Sequence, residues 1–152
     1  MIKKIFLILS TLILLTNCEY KPVYSHSTKS DYKIIITETS GDKKINKFLV
    51  NNLERNSQNK SNKIINIKID TKYTKIILAK NSAGNITDYQ SNAIVTFFIE
   101  RNQTSKSFNI NEKFNFQKMS DTYEEKAYEE NIKKNLAALI AQKLLLRLSI
   151  SQ

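Results

Sequence analysis

The chain has 152 residues, a formal net charge of +10 at pH 7 and 41% hydrophobic residues, which suits one globular domain. Its two glycines and one proline leave little room for a low-complexity linker. Its single cysteine excludes a disulfide within the chain.

The first 17 residues have the pattern of a secretory signal. Lys3 and Lys4 form a short positive region, and an apolar run of eleven residues follows from Ile5 to Leu15. A helix that crosses a bilayer needs roughly 20 apolar residues, so this run is short for a permanent span. We predict a cleaved signal over 1–17, with an uncleaved N-terminal anchor as the alternative.

Cys18 stands where the apolar run gives way to polar sequence. The segment Leu15-Thr-Asn-Cys18 resembles a bacterial lipobox, in which the cysteine thiol receives a diacylglycerol and the new amino group is acylated, commonly with palmitate. A catalytic thiol would need a base, and the only histidine, His26, has no acidic residue beside it to orient it. We therefore predict that Cys18 is a lipid attachment site.

Residues 18–31 are polar and have no usable periodicity, so they are predicted to be a lipidated tether. Glu19 follows the cysteine, whereas inner-membrane retention signals usually carry Asp there. This favours sorting to the outer membrane, on its periplasmic face. Two or more acyl chains would hold such a protein stably, because each buried methylene contributes about 0.8 kcal/mol.

The next two elements are a strand and a helix. Tyr32 to Glu38 is a β-branched run typical of a buried strand. Gly41 and Asp42 interrupt it. Four apolar residues then fall on one face of a predicted helix that ends in the polar stretch 56–62, namely Ile45, Phe48, Leu49 and Leu53.

Three strands are predicted to follow. In the first, Ile65, Ile67, Ile69 and Tyr73 alternate with polar residues, and a change of parity between Lys75 and Leu78 suggests a β-bulge. Turn residues 81–85 precede a strand from about Tyr89 to Glu100, and a polar turn covers 101–106. The last strand alternates clearly, with Phe108, Ile110, Phe114 and Phe116 on one side.

A long helix closes the chain. Asp121 and Glu124 have the spacing of a capping box. Two Glu–Lys pairs at i,i+4, Glu129–Lys133 and Glu130–Lys134, are each expected to contribute about 0.2–0.5 kcal/mol. The predicted apolar stripe consists of Tyr128, Ile132, Leu136, Leu139 and Ile140. Near 144–148 apolar residues surround the helix, so that end is either deeply buried or meets a partner.

The element order β-α-β-β-β-α predicts an α+β fold. Its economical form is a two-layer αβ sandwich, in which two helices cover one face of a mixed four-stranded sheet and strands two to four form a meander. The other face, which carries lysines and asparagines, is left for water or a partner.

Three stretches of the mature chain carry a resemblance to a known family: Cys18-Glu-Tyr-Lys-Pro-Val-Tyr24, Tyr89-Gln90 and the closing run Leu139 to Leu148. Together with the element order, they resemble the LptE-type lipopolysaccharide-assembly lipoproteins. Glu19 stands where that family usually has Gly. The resemblance covers nearly the whole mature chain and makes 32–152 an LptE-like domain.

The resemblance implies a role without catalysis or cofactor. Such proteins partner and plug the LptD β-barrel in the outer membrane of the Gram-negative envelope and assist lipopolysaccharide transport and assembly. Basic side chains at a strand tip and near the start of the last helix contact the glycolipid in the family. The matching positions here are Lys80 and Lys126.

Simpler interpretations stay open at these positions. Lys72, Lys75 and Lys80 could be a solvated strand face, and Lys126 has four glutamates near it in sequence. The phenylalanines of the last strand could form a docking patch but more often form core. His26 has no companions with metal-ligand spacing, so no metal site is predicted.

Three other functions are compatible with parts of the sequence. An auxiliary lipoprotein of an inner-membrane ABC-type phospholipid exporter is the main alternative. An envelope enzyme has weak support, because the acidic residues cluster at one helix start. Nucleic-acid binding would suit the charge, but the export signal argues against it.

Overall fold

The computed structural model describes residues 32–101 and 104–150. The predictions for the signal, the tether, Cys18 and His26 lie outside the described residues. The strands are β1 (Lys33–Gly41), β2 (Ile64–Lys80), β3 (Ile86–Arg101) and β4 (Thr104–Gln117). The helices are α1 (Lys43–Asn56), between β1 and β2, and α2 (Thr122–Ile150).

The strands form one mixed sheet in the order β1-β2-β3-β4. β1 and β2 run parallel, since α1 carries the chain back across the sheet between them. β2, β3 and β4 pair antiparallel as a meander. The predicted α+β class and element order are confirmed.

Both helices cover the same face of the sheet. On β2 the residues Ile65, Ile67 and Ile69 are buried, whereas Lys68 and Asp70 between them are exposed. Helix α1 packs on β1 and β2, and α2 packs on β3, β4 and α1. The hydrophobic core therefore lies between one helical layer and one sheet face, and the other face is called the open face below.

The first helix forms as its sequence pattern predicts. Ile45, Leu49 and Leu53 are fully buried, and Phe48 packs against the core. Asp42 is its N-cap, because its Oδ1 accepts hydrogen bonds from the backbone amides of Lys44 and Ile45 at 3.0 and 2.9 Å.

Strand β1 lies at the sheet edge and is not the buried strand that its β-branched run suggested. It pairs only with β2, and only Ile34 among its residues is buried. A register shift between Ile36 and Glu38 interrupts the pairing. A run of isoleucines is apolar on both sides, so it does not reveal that only one side is covered.

The β-bulge suggested for β2 between Lys75 and Leu78 is present, at the end of that range. Lys75 continues the side of Tyr73, facing the helices, and the pairing with β3 becomes irregular only between Ile77 and Lys80. The turn suggested for 101–106 is shorter than expected, because β3 reaches Arg101 and β4 begins at Thr104.

Helix α2 buries only part of the predicted stripe. Ile132, Leu136 and Ile140 are buried as expected, but Leu139 is 46% exposed. At the C-terminal end the leucines 144, 145 and 148 are buried and Leu146 is exposed. That end is thus mostly core. Within residues 32–101 and 104–150, neither helix has the length and apolar character needed to cross a bilayer.

Candidate functional surfaces

The β2–β3 hairpin carries exposed aliphatic side chains at its end. Ile76, Ile77 and Leu78 are 49%, 49% and 48% exposed. Adjacent residues of a strand point to opposite faces, so these three place apolar surface on both sides of the hairpin. We call residues 76–86 the hairpin end. This surface was not predicted from the sequence, although three successive apolar residues just before a turn could have indicated it.

The turn that closes the hairpin end is ordered by Asn81. Its backbone amide donates to the Asn85 carbonyl at 2.9 Å, and its Oδ1 accepts from the amides of Ala83 and Asn85 at 3.1 and 2.9 Å. Gly84 has φ +82°, the left-handed region that favours glycine. The local sequence therefore builds a defined tip rather than a loose loop.

Lys80 is the last residue of β2, lies opposite Ile86 and is exposed. Lys80 is five positions beyond Lys75, whose side chain bonds to α2, and this spacing is about 17 Å along a strand. Lys80 therefore belongs to the hairpin end and lies away from the helical layer.

Lys126 lies in a shallow depression of about 370 Å³ on the helical layer. Its neighbours there include Glu129, Glu130 and Lys44, and Glu130 pairs with Lys44 at 2.5 Å. Lys80 does not line this depression. The structure thus places the two candidate lysines on separate surfaces, one on the sheet tip and one between the helices.

Lys75 links the sheet to the start of α2. Its Nζ lies 2.8 Å from Glu125 Oε1 and 3.2 Å from Glu129 Oε2, and 4.1 and 5.1 Å from the ring centroids of Tyr89 and Phe116. We call these groups the Lys75 junction. Because Lys75 is occupied in this way, it does not belong to an exposed basic strand edge.

Lys75 and Glu125 shift each other's pKa. Burial opposes the charge on Lys75, but the hydrogen bonds and attraction of Glu125 and Glu129 outweigh it and raise the pKa of Lys75. The bond from Lys75 lowers the pKa of Glu125, which also accepts from the Met119 amide at 3.2 Å. Both groups are therefore stabilised in their charged forms.

A second polar contact joins α2 to the α1 cap. Lys133 Nζ lies 2.8 Å from Asp42 Oδ2 and 4.0 Å from the centroid of the Tyr73 ring. The Tyr73 hydroxyl donates to Glu129 Oε1 at 2.9 Å and shares a 2.7 Å hydrogen bond with Ser91 Oγ. Burial, with the adjacent Glu129, raises the pKa of Tyr73.

The charged residues of α2 thus pair with residues of other elements, such as Asp42 with Lys133, rather than with one another. Burial opposes the charge of Asp42, but the Lys133 bond and the two backbone amides lower its pKa below the ordinary value. The predicted pairing of Glu129 with Lys133 and of Glu130 with Lys134 is wrong, since Glu129 bonds to Lys75 and Tyr73 and Glu130 bonds to Lys44.

The phenylalanines of β4 face the helices. Phe116 is buried and contacts Tyr89 and Tyr128, and Phe108 packs against Phe97. Phe114, on the same side, is partly exposed. The core interpretation of Phe108 and Phe116 is confirmed, and these two are not a docking patch.

The open face is polar with a few apolar residues. Its exposed side chains include Lys72, Lys113 and Phe98. Asn92 Oδ1, on the same face, is buried without a hydrogen-bond partner in the described part of the chain. Such a face can be solvated or can form polar contacts to another protein. Among residues 32–101 and 104–150, no three His, Cys, Asp or Glu side chains are grouped to hold a metal ion.

No protein-family model matches the sequence, and no curated protein gives a significant match. The fold does match solved bacterial lipoproteins. Rare lipoprotein B of Shewanella oneidensis matches with a TM-score of 0.56 at 15% identity, over 77% of this chain and 98% of that protein. A minor lipoprotein of Acinetobacter baumannii gives 0.51 at 15% identity, over 76% and 92%.

Lipoprotein B of Nitrosomonas europaea also matches, with a TM-score of 0.53 at 17% identity, over 77% of this chain and 84% of that protein. The similarity spans most of each protein. At these identities it is the fold that is shared: the chain has the fold of these lipoproteins.

Proposed function

We propose that this protein is a lipid-anchored envelope protein that partners and plugs an outer-membrane β-barrel of the LptD type. In this role it assists lipopolysaccharide transport and assembly. The anchor is Cys18, and the domain lies on the periplasmic face of the outer membrane. No catalytic step or cofactor is part of the proposal.

The shared fold with rare lipoprotein B is the observation that carries this proposal. Rare lipoprotein B is LptE, and the sequence motif after Cys18 resembles the same family. The motif lies in residues 18–24 and the fold match covers the domain that follows, so the two observations come from different parts of the chain.

The exposed surfaces suit a role as a docking partner. The hairpin end presents Ile76, Ile77 and Leu78, and exposed aliphatic groups of this kind gain free energy when a partner removes them from water. The open face supplies amide and ammonium groups that can hydrogen-bond to polar side chains inside a barrel. An adaptor needs such surfaces rather than a closed catalytic pocket.

Lys80 and Lys126 are the proposed contacts for lipopolysaccharide phosphates. Since they lie on separate surfaces, we propose that each contacts the glycolipid independently. Lys80→Asp should weaken binding even when Lys126 is intact, and Lys126→Asp should have the smaller effect because Glu129 and Glu130 already reduce the local positive potential.

The proposal is tested by affinity purification of the full chain from detergent-solubilised envelopes, followed by identification of the main co-purifying protein. A large outer-membrane β-barrel is the expected partner. Recovery of an inner-membrane ATPase complex instead would contradict the proposal and support the phospholipid-exporter alternative.

The lipid anchor is tested separately by metabolic labelling with a radioactive fatty acid. The wild-type chain should incorporate label and sediment with membranes. Cys18→Ala should lose the label, because the thiol that accepts the diacylglycerol is gone. Acylation that persists in Cys18→Ala would contradict the assignment.

A further inference from the structure

A cleft of about 630 Å³ lies at the end of the sheet opposite the hairpin end, between the β3–β4 end and the last turns of α2. Its apolar floor is formed by Ile99, Phe108 and Leu148, together with Ile65. Three basic side chains surround that floor, those of Arg101, Lys106 and Arg147.

The cleft has cations without matching carboxylates. Among residues 32–101 and 104–150, no Asp or Glu lines the cleft, and none of its three basic residues forms a salt bridge. By contrast, Lys44, Lys68, Lys75, Lys133 and Lys143 each pair with a carboxylate. The charge of this cleft is therefore left for a ligand.

Two of the cations are held against aromatic rings. The Arg147 guanidinium lies 4.2 Å from the Phe108 ring centroid, and that of Arg101 lies 5.0 Å from the Tyr32 ring centroid. Arg101 Nη1 also donates to the Tyr32 hydroxyl at 3.1 Å. Guanidinium groups fixed in this way lose less freedom when they bind an anion, and their geometry suits phosphate oxygens.

The cleft lies at the same end of the sheet as Tyr32, the first described residue. Tyr32 joins β1 to the segment that begins at Cys18, and Tyr32 contacts Arg101. The 14 residues 18–31 span at most about 50 Å when fully extended. An anchor at Cys18 therefore keeps the cleft within reach of the lipid headgroups of the same leaflet.

We propose that this cleft binds an anionic glycerophospholipid, with its phosphate between Arg101, Lys106 and Arg147 and part of an acyl chain on the floor. The match between the basic cleft and an anionic phosphate does not depend on the proposed function. Only the membrane source of the lipid rests on the proposed lipid anchoring. The site is distinct from the proposed glycolipid contacts, because Lys80 is at the opposite end of β2 and Lys126 is near the start of α2.

The test is native mass spectrometry of the full chain released from envelopes in non-ionic detergent, with defined amounts of added phosphatidylglycerol or phosphatidylcholine. One phosphatidylglycerol per chain should bind at concentrations at which phosphatidylcholine does not. The triple variant Arg101→Gln, Lys106→Gln, Arg147→Gln should lose about tenfold or more in apparent affinity, because charge-assisted contacts are lost.

A charge-matched control uses Lys68→Gln, Lys72→Gln and Lys113→Gln on the open face, which should keep wild-type binding. Lys106→Glu alone should also weaken binding. Because the Lys106 side chain is exposed, this variant can replace the triple variant in the test if the triple variant does not fold. Excess inorganic phosphate should compete poorly, since it makes no use of the apolar floor.

Equal loss in the control triple would show general charge attraction and overturn the proposal. Full competition by inorganic phosphate, or no preference for phosphatidylglycerol in the wild type, would overturn it too. None of these results depends on which protein co-purifies, so this proposal and the β-barrel proposal can fail independently.

Discussion

Gly41 and Gly84 both have positive φ, but their surroundings differ. Gly41 has φ +88°, and a Cβ built on it would lie 1.8 Å from the Thr71 carbonyl oxygen of the neighbouring strand. Gly84 has φ +82° and nothing within 4 Å of its Cβ position. Conformation requires glycine at both sites, whereas close packing requires it only at Gly41.

Gly41→Ala should therefore destabilise the fold more than Gly84→Ala. The backbone cost of a left-handed Ala is about 1–2 kcal/mol at either site, and only Gly41→Ala must in addition displace β2 from the start of α1. Urea unfolding measures both free energies. Equal free energies of unfolding for the two variants would show that the close approach of Gly41 to Thr71 does not affect stability.

Asp42 combines a helix cap with an ion pair, and two substitutions separate these roles. Asp42→Asn keeps a good cap but loses the charge that pairs with Lys133, whereas Asp42→Ala also loses the cap, at a further cost of about 1 kcal/mol. The comparison is made by urea unfolding at pH 7.

The pH dependence follows from the lowered pKa of Asp42. Its stabilising contribution is present above the unfolded-state pKa, near 4, and is lost as the pH falls through the folded value. The stability advantage of wild type over Asp42→Asn should therefore shrink between pH 5 and pH 2. An advantage independent of pH would exclude the Lys133 pair as its source.

At the scale of elements, the Lys75 junction decides how the start of α2 lies on the sheet. Lys75→Met leaves Glu125 and Glu129 close together and mostly buried without their cation, so we expect a loss of about 1–3 kcal/mol. The matched control Lys72→Met, on the open face, should stay within about 0.5 kcal/mol of wild type. Similar urea midpoints for the two variants would contradict the assigned role.

The Lys75 junction also predicts an alkaline limit. The pKa of Lys75 is raised, so its contribution is present below the unfolded-state value near 10.5 and is lost as the pH rises through the folded value. Tyr73, whose pKa is also raised, acts in the same direction. Lys75→Met should lose less stability than wild type between pH 9 and pH 12.

The two helices differ in how well their sequence patterns predict their contacts. The apolar stripe of α1 was predicted correctly, because one side of this helix packs on the core and its other sides carry polar residues. The ion pairs of α2 were predicted wrongly, because Lys75 and Lys44 are distant in sequence and approach Glu129 and Glu130 only after folding. Local spacing allows an i,i+4 pair, but a cation on another element can compete for the same carboxylate.

At the scale of the whole molecule, the two ends of the domain differ in chemistry. The hairpin end is aliphatic with Lys80, and the opposite end carries the basic cleft near Tyr32. This difference between the two ends suits the proposed function, in which one end lies near the membrane anchor and the other end docks into a partner.

The variant Ile76→Thr with Leu78→Thr tests the hairpin end. Threonine keeps a high strand propensity and both side chains are about half exposed, so the free energy of unfolding should change by about 1 kcal/mol or less. Recovery of the proposed β-barrel partner by affinity purification should fall strongly. The control Ile35→Thr with Ile64→Thr, at the other end of the sheet, should leave recovery unchanged, and equal recovery for both pairs would show that the hairpin end is not the docking surface.

The sequence by itself determined the order of elements, the mixed sheet with its meander and the core face of α1, whereas the lipid attachment at Cys18 stays a prediction. These depend on periodicity and short motifs, which are local. Only the tertiary structure decided that β1 is an edge strand, that Leu139 is exposed and that Lys80 and Lys126 lie apart. Burial and pairing depend on which distant segment covers each side chain, and this is decided only when the elements pack together.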